Sequence, residues 1–64
     1  MTVQGDLEKA IAGAQQALGS YSMFAQSTQD PQAKRMFASM AHDMERHLKQ
    51  LNDRLAYVNQ HEPS

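Results

Sequence analysis

Phe37-Ala38-Ser39-Met40-Ala41-His42-Asp43-Met44-Glu45-Arg46-His47-Leu48-Lys49-Gln50-Leu51-Asn52-Asp53-Arg54-Leu55-Ala56-Tyr57-Val58 decides the fold. Its apolar residues fall at Phe37, Ala41, Met44, Leu48, Leu51, Leu55 and Val58, at intervals of 4, 3, 4, 3, 4 and 3. Only an α-helix brings such a series onto one side, because its period is close to 3.6 residues. The same spacing in coiled coils and bundles marks a helix that packs lengthwise against other helices.

Just before this stretch stands Thr28-Gln29-Asp30-Pro31. Pro31 lacks the N–H that a helix interior must donate, yet it suits the first position of a new helix. Asp30 is a strong N-cap, and its charge favours the positive end of the helix dipole. One helix stops here and another begins. Upstream, Val3, Leu7, Ala10, Ala14, Ala17, Tyr21, Phe24 and Thr28 repeat the 4, 3 spacing, with Ile11, Leu18 and Ala25 widening one flank. The expected elements are a first helix over about 4–27 capped by Thr2 or Asp6, a turn at 28–30, and a second helix over about 31–59. The segment 1–59 forms one helical hairpin, and polar Gln60-His61-Glu62-Pro63-Ser64 reads as a loose tail. With so short a connection the helices must fold back antiparallel. The middle of helix one is small (Ala10, Ala14, Ala17), while helix two is bulky, which permits close interdigitation.

Sixty-four residues make one domain, and with no cysteine neither a disulfide nor a thiolate metal site can supplement its core. Ordering costs about 1.5 kcal/mol per residue, and domains this small come out near zero on that account. A lone hairpin would also leave Ile11 and Leu18, or Met36 and Met40, in water as an apolar strip. The expected architecture is therefore all-α, an antiparallel two-helix hairpin dimerising into a four-helix bundle. Its seam comprises Leu7, Ile11, Ala14, Leu18, Tyr21, Phe37, Met40, Met44, Leu48, Leu51 and Leu55.

Six Lys and Arg balance seven Asp and Glu, and they are interspersed. A nucleic-acid partner is not expected, because phosphate binding needs a basic stripe. No apolar run is long enough for membrane insertion, and Met1-Thr2-Val3-Gln4-Gly5-Asp6 does not read as a signal peptide. The expectation is a soluble cytoplasmic protein.

Few residues invite chemistry. With Met44 at the centre of the stripe and 100° added per residue, His42 lies nearly opposite the core. His47 lies about 60° from the centre, at the edge. Asp43 precedes His47 by four residues, so the two could pair or jointly hold a metal. The plain reading is a boundary histidine, because metal sites need more convergent ligands. Glu8 and Glu45 read as solvated charges. Met23 faces away from the seam, a candidate for a further contact surface. No phosphate loop, and no nucleophile with a local base, is present, so neither cofactor nor catalytic residue is expected.

Tyr21-Ser22-Met23-Phe24-Ala25 with Met36-Phe37, Met40-Ala41, His47 and Leu51 resembles one half of a rubrerythrin or ferritin-like bundle. That superfamily pairs a Tyr-x-x-Phe-Ala segment with a Phe-x-x-x-Ala-x-x-Glu-x-x-His segment. Here Met44 and Ala14 stand where its bridging glutamates would be, leaving only His47. The resemblance reaches the scaffold and not the di-iron chemistry. A second resemblance covers almost the whole chain. Met1-Thr2-Val3, Phe24-Ala25, Gln29-Asp30-Pro31-Gln32-Ala33-Lys34, Met36-Phe37 and Glu62-Pro63 are similar to a family of small bacterial proteins of unknown function, DUF1657. Its members occur in spore-forming Firmicutes, some encoded beside spore membrane-channel genes. The resemblance implies a sporulation context, with the spore as location and another spore protein as partner. The expected function is thus a non-enzymatic helical homodimer acting through protein contacts. The alternative is a small metal-binding protein using His47 and Asp43.

Overall fold

Asp30 and Pro31 divide the chain. The computed structural model describes residues 2–61. Among them the secondary structure is two helices, α1 (Val3–Ser27) and α2 (Pro31–His61), with no strand. Asp30 Oδ2 accepts from the Ala33 N–H at 2.7 Å, and the Asp30 carbonyl accepts from the Lys34 N–H at 2.9 Å. The first turn of α2 thus has partners for donors that a helix start leaves free. On the other side of the turn, Thr28 is extended, while its N–H still reaches the Phe24 carbonyl at 3.0 Å. Lys34 Nζ donates to the Ala25 carbonyl at 2.8 Å. A cation from α2 therefore closes one of the last open carbonyls of α1.

At the start of α1 the cap is Thr2, whose Oγ1 accepts from the Gly5 N–H at 2.9 Å. Asp6 lies instead in the first turn, where its charge suits the helix dipole.

The hairpin is a rod. Its Cα atoms span 48 × 17 × 11 Å with a radius of gyration of 14.7 Å, against about 10.7 Å for a compact domain of this length. At the turn end, the Phe37 ring stands 5.3 Å from Phe24 and 6.4 Å from Tyr21, centroid to centroid. Along α2, Phe37, Ala41, Met44, Leu48, Leu51 and Leu55 are half-buried, and Val58 is buried.

On α1 the inner face takes in the expected flank, Ile11, Leu18 and Ala25, together with most of the 4, 3 series. Leu7, Ile11, Ala14, Ala17, Leu18, Tyr21, Ala25 and Thr28 are half-buried, whereas Val3, Ala10 and Phe24 are exposed. Side-chain size explains why the flank is drawn in, because even partial burial of Ile11 and Leu18 removes more apolar surface from water than an alanine can. Of the small middle expected for helix one, Ala14 and Ala17 stay half-buried beside Ile11 and Leu18, and Ala10 is exposed.

The second helix also runs further than Asn59. Gln60 and His61, expected in the tail, belong to α2. The His61 ring stacks on Tyr57 at 4.1 Å, with Nδ1 2.9 Å from the Tyr57 carbonyl. This aromatic contact supports the last turn, where the sequence shows only polar residues. The rest of the expected tail, Glu62-Pro63-Ser64, lies outside the described residues.

Candidate interaction surface

Every half-buried seam residue keeps part of its surface in water. Among the described residues only Val58, 1% exposed, is fully buried. Leu7, Ile11, Ala14, Leu18, Tyr21, Phe37, Met40, Met44, Leu48, Leu51 and Leu55 are all half-buried. They line the contact between the two helices or its edges. Further apolar side chains lie open beside them: Val3 at 49%, Phe24 at 41% and Met36 at 50% exposed. Met23, 58% exposed, points outward from α1.

Two shallow grooves flank the seam. One, of about 430 Å³, is lined by Leu7 from α1 and by His47, Gln50, Leu51 and Arg54 from α2. The other, of about 320 Å³, includes Leu18, Ser22 and Gln26 from α1 with Ala41, His42 and Glu45 from α2. Counted at 100° per residue from Met44, His47, Gln50 and Arg54 fall to one side and Ala41, His42 and Glu45 to the other. The grooves therefore lie on opposite faces of the hairpin.

The polar side chains pair locally instead of converging. Asp43 Oδ1 accepts from Arg46 Nη2 at 2.9 Å. His42 Nδ1 lies 3.6 Å from Glu45 Oε1, and Lys49 Nζ lies 2.9 Å from Asp53 Oδ2. Asp43 and His47 share a side of α2, yet the carboxylate is taken by Arg46, and the exposed His47 borders the first groove. Among the described residues no group of three or more His, Asp or Glu is placed to hold a metal ion. Glu8 is exposed. The Lys49 ammonium is held above its ordinary value of 10.5, first by the hydrogen bond to Asp53 and then by its charge.

One feature of α2 has a sequence signal that periodicity of apolar residues passes over. Arg54 lies over the Tyr57 ring at 4.8 Å, and Tyr57 in turn stacks with His61. Spacings of three and four place such side chains one above the next on a helix. Arg54-x-x-Tyr57-x-x-x-His61 carries that spacing openly.

No described helix is long and apolar enough to cross a membrane. No curated protein and no solved structure matches the chain. Residues 7–55 match the family model described as a protein of unknown function, DUF1657. The match spans α1 from its second turn, the capped reversal and most of α2. The chain belongs to this family.

Proposed function

We propose that this DUF1657 protein is a non-enzymatic homodimer, a four-helix bundle built from two hairpins, that acts in the cytoplasm or the spore by binding other proteins. The observation that carries the reading is the near-absence of full burial. A hairpin in which only Val58 among the described residues is closed off from water has little hydrophobic energy to set against its ordering entropy. A second copy would cover the open apolar edges and double the core. The local pairing of Asp43, His42 and Lys49 favours solvated surface roles for these groups over acid–base chemistry. The spore context rests on family membership alone.

Sedimentation equilibrium at micromolar concentration tests the dimer directly. The expected mass is twice the chain's 7.2 kDa, and the melting temperature should rise with concentration. A monomer with a concentration-independent melting temperature would defeat the proposal. Quantifying the protein in purified spores and in vegetative cells tests the location. Equal or lower abundance in spores would remove that part of the reading.

A further inference from the structure

The two faces of the hairpin are unequal. The one carrying the smaller groove is rimmed by Ser22, Gln26, His42 and Glu45. The other carries the larger groove, with His47, Gln50 and Arg54 of α2 along it. There α1 presents a heptad series, exposed Val3, Ala10 and Phe24 with half-buried Ala17, large at its ends and small in the middle. Each member precedes Leu18 or its heptad equivalents by one residue, a step of about 100° away from the polar-rimmed groove. On α2, Met36 and Met40 stand seven residues before Asp43 and His47, so they lie on the His47 side. Val3, Phe24 and Met36, three of the exposed apolar side chains, thus share this face. Arg35 and Asp53 lie half a turn from Met44 and project away from it.

We propose that this face, formed by Val3, Ala10, Ala17 and Phe24 with Met36 and Met40, is where a second copy of the chain docks lengthwise. The inference rests on the dimeric reading and names the surface it uses. Size argues for the occupant. The broad face of the rod, 48 by 17 Å, offers roughly 800 Å², which is what each partner contributes to a standard stable interface. End-to-end contact over 17 by 11 Å offers roughly 190 Å², far below that need. Shape agrees, since Ala10 and Ala17 let a partner helix approach closely while Val3 and Phe24 close the seam at either end.

The absence of cysteine gives each single-cysteine variant one thiol, so two positions can be compared by alkylation rate. The Ala10→Cys thiol should react several-fold more slowly once the protein is concentrated enough to dimerise. The Ala38→Cys thiol, on the opposite face, should react at an unchanged rate. Independently, combining Ala10→Arg with Met36→Lys should raise the dissociation constant about 100-fold, and Ala38→Arg should leave it nearly unchanged. Should the double variant fail to fold, the thiol rates still decide. A wild-type dimer in which Ala38→Cys is protected and Ala10→Cys is not would overturn the face and leave the dimer standing. A wild-type monomer would overturn both.

Discussion

The two ends of the hairpin are held by different means. At the turn, Asp30 caps α2, Lys34 closes α1, and Tyr21, Phe24 and Phe37 gather within ring contact. Each of these links joins residues at most 16 apart in sequence, as Tyr21 and Phe37 are. At the open end no covalent turn joins the helices. There α2, 31 residues long against 25 for α1, carries the one described residue that is fully buried, Val58. Short loops close at little entropic cost, so the turn can rest on polar detail. The open end brings together residues more than forty positions apart, as Leu7 with Leu51 and Arg54, and must be held by burial. The difference predicts that the open end fails through apolar damage alone, and the turn through loss of its ring contacts or of its specific bonds.

The largest effect should come from Val58→Asp, which places a carboxylate where almost no water reaches. A loss of at least about 3 kcal/mol is expected, the scale of an uncompensated buried charge, and enough to unfold so small a hairpin. Val58→Ala should cost only about 2 kcal/mol. Urea titration followed by circular dichroism measures both. If Val58→Asp remains folded, the open end is not packed as described. Leu48→Asp, in mid-seam, should likewise abolish folding if a second copy completes its burial.

At the turn the corresponding test is Phe37→Ala. It removes both ring contacts, and about 2–3 kcal/mol should be lost, less than for a fully buried ring because Phe37 is half-buried. A loss under 1 kcal/mol would mean the aromatic group contributes little beyond the polar turn.

Asp30→Ala should cost about 0.5–2 kcal/mol, the usual loss of an N-cap. Asp30→Asn should recover most of it, since the amide oxygen can still accept from Ala33. Thr28 Oγ1 already lies 3.4 Å from the Asp30 N–H. A fully stable alanine variant would show that Thr28 takes over the cap.

How much was legible follows the same division. The turn was readable because Asp30 and Pro31 act on their own neighbours, and α2 because one bulky series dominates its period. The exposure of Val3, Ala10 and Phe24 on α1 was not. Val3, Ala10, Ala17 and Phe24 keep the same spacing as Ile11, Leu18 and Ala25 one residue on. Periodicity weighs the two alike, and the volume of Ile11 and Leu18 against the opposing helix decides between them. His47 shows a similar limit. Sequence spacing puts Asp43 on its side of α2, but Arg46 at three residues competes for the same carboxylate. The extension through Gln60 and His61 depends on a ring stack that hydrophobicity does not register.

The smallest effect belongs to the pair between the two ends. Lys49 Nζ and Asp53 Oδ2 are 2.9 Å apart, with side chains 78% and 66% exposed. Water screens such a pair, and lysine preceding the acid by four residues is the weaker orientation on a helix. The hydrogen bond to Asp53, then its charge, raises the Lys49 value in the folded chain above the ordinary 10.5. A group raised on folding binds its proton more tightly in the native state. Its contribution is therefore complete below the ordinary value and disappears as pH climbs through the raised one. Lys49→Gln should shift the melting temperature at pH 7 by less than about 1 °C, and wild type and variant should converge in alkali. A loss of several degrees at pH 7 that vanishes at high pH would give the middle of α2 a charge-held element. The rod would then have a third region, stabilised neither by its turn nor by the packing at its open end.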